Sequence, residues 1–124
     1  MIMKNVIIYH NPRCGKSRKA LEILKKHGIQ PKIREYLKEP LSSEELRKLV
    51  KKLSIKPIDW IRQKENIFKE KYKGRLLTDE QWIEALAENP ILMERPVIEY
   101  GESAIIARDE MALEEWISKN FREK

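Results

Sequence analysis

The only cysteine of this 124-residue sequence, Cys14, lies in a short segment rich in positive charge. Arg13 precedes it, and Lys16 and Arg18 follow closely. The thiolate is the nucleophilic form of cysteine, and nearby cations lower a cysteine pKa from about 8.5 towards the range of about 3.5–7.5. A lone cysteine taken without context is more often an inert core residue, but these surroundings favour a reactive thiol. We therefore predict that Cys14 is a catalytic nucleophile.

Two common kinds of cysteine site do not fit the residues after Cys14. The spacing of Cys14 and Ser17 matches the Cys-x-x-Cys motif of thioredoxins, but a serine cannot close the disulfide. A tyrosine-phosphatase-like loop needs an arginine where this chain has Ala20. No residues have metal-ligand spacing, and we expect the protein to hold no metal and no bound cofactor.

Composition limits the kinds of partner and the cellular compartment that we expect for this protein. The net charge is +6 and 37% of residues are charged, but acidic and basic residues alternate, which is typical of a solvated surface. No apolar run reaches the ~18 residues that span a membrane, and the first residues lack a signal-peptide cleavage site. A single cysteine fits a reducing compartment. We expect a cytoplasmic monomer with no membrane or nucleic-acid partner.

The elements around Cys14 are expected to place it at the start of a helix. β-Branched and aromatic residues at positions 5–9 predict a buried strand, and residues 10–15 predict a loop. An apolar stripe from Ser17 to Gly28 predicts a helix. Ligands of open α/β sheets bind at the carboxyl ends of strands, and the free N–H groups of a helix start favour a thiolate and an oxyanion.

Capping residues and periodicity predict the other elements. Further strands are expected at residues 32–37, 95–100 and 103–107. Helices are expected to begin at two capping boxes, at a proline and at an aspartate N-cap. These four starts are Ser42, Pro57, Thr78 and Asp109.

The predicted order is βαβ, several helices, then ββα, which indicates the α/β class. The first three elements imply parallel strands joined by a crossover helix, and the final hairpin adds antiparallel pairing. A small four-stranded mixed sheet flanked by helices follows, with the middle helices forming a subdomain. Four large side chains on apolar helix faces are predicted to lie in the core: Trp60, Trp82, Trp116 and Met111.

Three segments together resemble the glutaredoxin-coupled arsenate reductase family: residues 10–18 (HNPRCGKSR), Tyr36-Leu37 with Pro40, and residues 89–96 (NPILMERP). The resemblance covers nearly the whole chain in order. It implies a thioredoxin-like fold, with residues 1–124 forming a single domain that carries a helical insertion at about 41–90. It also implies that the Arg95-Pro96 peptide bond is cis.

The resemblance implies a reaction as well. In that family the cysteine attacks arsenate, glutathione displaces oxygen from the adduct, glutaredoxin resolves it, and arsenite leaves. The implied partners are therefore a small oxyanion, glutathione as co-substrate, and a glutaredoxin.

Five residues besides Cys14 match functional positions of the family. Arg62, Arg95 and Arg108 match its oxyanion-binding arginines, and guanidinium groups suit tetrahedral oxyanions because they offer paired N–H donors. His10 and Ser17 match positions that tune the thiolate.

Two other functions stay open at the level of sequence. Spx-like regulators, which bind RNA polymerase and sense thiol stress, share the fold and the Arg-Pro motif, but they typically carry a Cys-x-x-Cys and no His-Asn before it. This chain has His10-Asn11 and Ser17, which favours an enzyme. The second alternative is a family member acting on another glutathione-linked substrate, since Lys16 stands where arsenate reductases often have a small polar residue.

Overall fold

A computed structural model of the protein describes residues 5–121. The described chain divides into two compact units, one with the residues up to Glu35 and from Arg95 onward, the other with Tyr36–Glu94. The first unit contains β1 (Val6–His10), α1 (Gly15–Lys26), β2 (Lys32–Glu35), β3 (Val97–Tyr100), β4 (Ser103–Ile106) and α5 (Glu110–Asn120). The second contains α2 (Ser43–Leu53), α3 (Asn66–Lys71) and α4 (Asp79–Glu88).

The four strands form one mixed sheet in the order β2-β1-β3-β4. β1 pairs with β2 in parallel, and α1 is the crossover between them, while β3 pairs antiparallel with both β1 and β4. The predicted four-stranded mixed sheet is therefore confirmed. β2 and β3 are each two residues shorter than predicted and β4 is one residue shorter, while β1 includes His10, which the sequence analysis places in the loop.

The strand register brings three chain segments to one end of the sheet. Tyr9 lies opposite Val97, and Val97 in turn lies opposite Ile106. The carboxyl ends of β1 and β4 therefore lie beside the amino end of β3. The loop after β1, the residues before β3 and the residues after β4 all leave the sheet at this end.

α1 and α5 contribute apolar faces to the core of the first unit. Ala20 and Leu24 of α1 are buried with Leu113 and Ile117 of α5, in one cluster that also includes the central strand residue Ile8. Removing such side chains from water supplies most of the stabilisation of a small domain. The first turn of α1 is thereby fixed against the sheet end where the three segments meet.

The prediction that Met111 lies in the core is wrong. Met111 is 81% exposed, whereas Trp60, Trp82 and Trp116 are buried as predicted. The buried face of α5 is set by Leu113 and Trp116. A residue two positions before Leu113 is rotated about 200° from it around a helix, so Met111 faces the opposite side.

The second unit is entirely helical in its regular structure. Besides α2, α3 and α4 it has two 3₁₀ turns, Pro57–Trp60 and Pro90–Leu92. Both predicted capping boxes are present, at Ser42 with Glu45 and at Thr78 with Gln81. Residues 41–90, the predicted helical insertion, lie within this unit, and the organisation as one thioredoxin-like domain stays a prediction. No described helix is long and apolar enough to cross a membrane.

Candidate active site

Cys14 is the residue that begins α1. It occupies the N-cap position with extended backbone angles, and its side chain does not bond the first-turn N–H groups. The helix itself begins at Gly15, two residues earlier than the predicted start at Ser17. Its own carbonyl oxygen accepts a 3.0 Å hydrogen bond from the N–H of Arg18, as the first bond of the helix. The first turn contains no acidic residue. The partial positive charge of the helix start is therefore unopposed within that turn, next to a half-buried thiol.

The loop that carries Cys14 is held by its own hydrogen bonds. The N–H of Cys14 donates to the carbonyl oxygen of Asn11 at 2.9 Å, and the Asn11 side-chain oxygen accepts from the N–H of Arg13 at 3.0 Å. The guanidinium of Arg18 donates to the carbonyl oxygen of Pro12 at 2.9 Å. The sequence singles out Asn11 only as part of the loop and of the His10-Asn11 pair, although asparagine before proline is a residue type that bonds nearby backbone in this way.

His10 and Ser17 form the buried support of this loop. Nδ1 of His10 lies 2.6 Å from Oγ of Ser17, and Oγ also accepts a 3.0 Å hydrogen bond from the N–H of Asn11. Both side chains are buried, Ser17 completely. Within residues 5–121, Sγ of Cys14 makes no hydrogen bond. His10 and Ser17 therefore hydrogen-bond each other and the loop backbone, and neither hydrogen-bonds the sulfur.

Burial controls the protonation of His10. Desolvation lowers the pKa of His10 below its ordinary value of 6.5, the Glu35 carboxylate opposes this by raising it, and the Arg18 guanidinium lowers it further. Glu35 is the residue that faces His10 across the β1–β2 pair. With its pKa lowered, the imidazole is neutral at neutral pH, so it holds the loop by hydrogen bonding and adds no positive charge.

Arg95 and Arg108 leave the sheet at the same end as the Cys14 loop. The carbonyl oxygen of Pro96 accepts a 2.7 Å hydrogen bond from the N–H of Ala107. Arg95 directly precedes Pro96 and Arg108 directly follows Ala107, so the backbones of the two arginines lie near each other. The Arg95-Pro96 peptide is cis, as the sequence resemblance implies. The Nε of Arg95 is buried and has no acceptor among the described residues.

Arg108 is exposed, and it lines a small cleft together with Gly15 and Lys16, the two residues directly after Cys14. Arg108 and the start of α1 therefore line the same cleft. A ligand oxygen bound here would meet guanidinium N–H groups and the amino end of α1, a combination that suits an anion.

Arg62, the third predicted oxyanion-binding residue, belongs to the second unit and is already paired with carboxylates. Its guanidinium lies 2.6 Å from Glu65 and 3.7 Å from Glu94. All three side chains are about a quarter exposed, so the pairs are partly shielded from water. A role for Arg62 in binding an anion stays a prediction, and such an anion would compete with two carboxylates.

Comparison with known proteins places this geometry in a family. The model of the ArsC family matches residues 9–116. The chain is 42% identical to the uncharacterized protein YfgD of Escherichia coli (strain K12), over 85% of this chain and 90% of that protein. It is 40% identical to a protein of Haemophilus influenzae named arsenate reductase, over 84% of this chain and 91% of the relative.

A solved structure titled arsenate reductase, from Vibrio cholerae, superimposes with a TM-score of 0.86 at 36% identity. The match covers 92% of this chain and 98% of that one. The predicted thioredoxin-like fold class is therefore confirmed.

Proposed function

The chain belongs to the ArsC family, and on this premise we propose that it is a thiol-dependent reductase in which the Cys14 thiolate attacks a small oxyanion. The observation that carries the proposal is the buried Nε–H of Arg95, which has no acceptor among residues 5–121 and lies at the same sheet end as the only cysteine. A buried donor without an acceptor is costly. An oxyanion bound beside Cys14 would supply the acceptor.

The proposed substrate is arsenate, the substrate named for the Haemophilus and Vibrio relatives. Cys14 bonds to arsenic and an arsenate oxygen leaves as water. Glutathione then bonds to arsenic through its sulfur, and a second oxygen leaves as water. A glutaredoxin thiolate next attacks the glutathione sulfur. The electron pair of the sulfur–arsenic bond stays on arsenic, which becomes As(III), and water releases arsenite from Cys14.

Besides Cys14, the proposal gives roles to the arginines that bind the oxyanion and to the two residues that hold the Cys14 loop. Arg95 and Arg108 hold the oxyanion through guanidinium N–H groups, which match the geometry of a tetrahedral anion better than an ammonium does. Arg62 is the third proposed ligand, and an oxyanion bound to it would compete with Glu65 and Glu94, which already contact its guanidinium. His10 and Ser17 tune the thiolate indirectly, by fixing the loop that places Cys14 at the amino end of α1.

The reductant must come from outside the chain, because Cys14 is the only cysteine. We propose glutathione as co-substrate and a glutaredoxin as protein partner, acting on a monomer in the cytoplasm, with no bound cofactor. Thiol–disulfide exchange of this kind needs only an accessible thiolate and a second thiol.

A coupled assay tests the function. Purified protein is incubated with arsenate, glutathione, a glutaredoxin, glutathione reductase and NADPH. Arsenate-dependent NADPH consumption together with arsenite formation is expected, and the Cys14→Ser variant should show neither. A folded, thiol-reactive protein that forms no arsenite under these conditions would contradict arsenate as the substrate and favour another glutathione-linked compound. Specific capture of the RNA polymerase α subunit by the same inactive protein would favour a Spx-like regulator.

A further inference from the structure

A cleft of about 220 Å³ lies beside the candidate nucleophile, between the first turns of α1 and the start of α5. Its lining on α1 begins at Gly15, the residue after Cys14. It lies wholly within the first unit of the chain. We refer to it as the lysine cleft, after Lys16 and Lys19 on its α1 side.

The floor of the lysine cleft is apolar and belongs to the core. Ala20 and Ile23 of α1, Leu113 of α5 and Ala107 after β4 line it, and all four are buried members of the main hydrophobic cluster. Packed core residues keep their positions because moving them opens voids. The shape of the cleft is therefore fixed by the fold.

The rim of the lysine cleft is positively charged. Lys16, Lys19 and Arg108 provide three cations against the single carboxylate of Glu110. Lys16 and Lys19 are three positions apart on α1, so they lie on one face of the helix. Lys19 also lies 3.7 Å from Glu22 in an exposed pair, while Lys16 has no ion pair with any residue in the described range 5–121.

Size and charge together indicate the kind of ligand. The cleft is smaller than the roughly 300–1,000 Å³ of pockets that enclose a drug-sized molecule. It is therefore suited to one end of a small molecule, and its rim favours a negatively charged end. Because its lining begins one residue after Cys14, a molecule held there that extends toward the amino end of α1 would approach Cys14.

We infer that the lysine cleft binds a carboxylate-bearing end of the outside thiol, a low-molecular-weight peptide thiol, with Lys16 and Lys19 selecting for its negative charge. The inference rests on the proposed function, because that function requires an outside thiol. The apolar floor contacts the methylene groups of the peptide, and the rim cations face its carboxylate. Lys16 thus becomes a specificity-determining residue for the reductant.

Thiol–disulfide exchange tests this without any oxyanion. The Cys14 thiolate attacks one sulfur of a small disulfide, the S–S bond breaks, a mixed disulfide forms and the other half leaves as a thiolate. Second-order rate constants are measured by mass spectrometry with three probes: glutathione disulfide, which is anionic, hydroxyethyl disulfide, which is neutral, and cystamine, which is cationic. The readout is the ratio of the anionic to the neutral rate constant, which cancels any change in thiolate reactivity.

The variant Lys16→Glu/Lys19→Glu is compared with Lys25→Glu/Lys26→Glu. The second pair lies in the last turn of the same helix, outside the cleft, and changes the net charge equally. An exposed charge pair changes a binding or rate constant by up to about fivefold. Reversing both cleft lysines is therefore expected to lower the ratio of the anionic to the neutral rate constant about tenfold and to favour cystamine. The control should keep the wild-type ratio. A neutral variant, Lys16→Gln/Lys19→Gln, should lower the ratio less and adds a second measurement if the glutamates disturb folding.

Two results would overturn the inference. One is a wild-type protein with no preference for the anionic probe over the neutral one. The other is an equal loss of rate with all three probes in the cleft variants, which would mean that the lysines affect only the thiolate. The absolute rate constant reports separately on the proposed nucleophile: a wild-type thiol no faster than a free cysteine at the same pH would contradict the proposed function, while the ratio would still decide the cleft.

Discussion

Nδ1 of His10 lies 2.6 Å from the hydroxyl oxygen of Ser17, and these two are buried polar side chains within the strand–loop–helix segment that carries Cys14. One is the last residue of β1 and the other lies in the first turn of α1. Their contact, with the hydrogen bond from the Asn11 N–H to the same oxygen, closes the loop around Cys14. The loop therefore depends on a hydroxyl group at position 17.

Replacing Ser17 with alanine is expected to weaken both the loop and the chemistry. The Nδ1 of His10 and the N–H of Asn11 would lose their partner, and an unsatisfied buried polar group costs about 1–3 kcal/mol. The free energy of unfolding, measured with urea, should fall by that amount, and the alkylation rate of Cys14 should fall as well. Ser118→Ala, at an exposed position of α5, is the matched control. Unchanged stability and alkylation in Ser17→Ala would contradict the role of the hydroxyl.

The lowered pKa of His10 predicts a loss of stability at acid pH. Its native pKa lies below the ordinary value of 6.5, so as pH falls through 6.5 the unfolded chain takes up a proton before the native chain does. The free energy of unfolding then decreases, by at most about 1.4 kcal/mol per pH unit for one proton, until the native imidazole is also protonated. The His10→Gln variant should lack this decrease in the free energy of unfolding at acid pH. Parallel stability curves for the two proteins between neutral and acid pH would show that the prediction is wrong.

Cys14→Ser is expected to keep the fold and remove activity. A serine fits the N-cap position at least as well as cysteine, but its hydroxyl is not ionised near neutral pH. Circular dichroism and urea unfolding should match the wild type, while arsenate-dependent arsenite formation disappears. The wild-type thiol should be alkylated by iodoacetamide faster than free cysteine below neutral pH, and equal rates would contradict an activated nucleophile.

Arg95→Lys and Arg108→Lys test the proposed oxyanion ligands. Lysine keeps the charge but loses the paired N–H geometry, so arsenate binding should weaken more than folding does. A hydrogen bond to a charged group contributes about 1.5–3 kcal/mol, so the loss of one of the paired contacts corresponds to roughly tenfold or more in the arsenate KM. Arg47→Lys, at an exposed ion pair with Glu80 in the second unit, is the control. Equal arsenate KM in Arg95→Lys and wild type would remove Arg95 from the site.

The single cysteine predicts a strict need for added thiols. Arsenate alone should form at most an adduct with Cys14 and no arsenite, because the two-electron reduction of As(V) needs thiols that this chain does not supply. An oxidised form of glutathione should convert Cys14 to a mixed disulfide about 305 Da heavier, through exchange of thiol and disulfide sulfur. Sustained arsenite production without any added thiol would rule out the proposed mechanism.

The sequence by itself determined the features that depend on near neighbours along the chain. The capping boxes at Ser42 and Thr78 and the buried stripe of α1 involve residues within four positions of each other, so their types and spacing are enough to predict them. The need for an outside thiol follows from a count of one cysteine. Met111 shows the limit, because an apolar residue near the start of a helix does not reveal which face will be buried.

The tertiary structure decided which distant residues share the site. Val97 is paired with Tyr9, 88 positions earlier in the chain, and this register brings Arg95 to the end of the sheet that holds the Cys14 loop. The resemblance to a family suggested the arginines, but only the tertiary structure buries Nε of Arg95 with no acceptor in the described part of the chain and pairs Arg62 with Glu65. Such pairings depend on the packing of strands and helices far apart in sequence, where local residue preferences carry no information about partners.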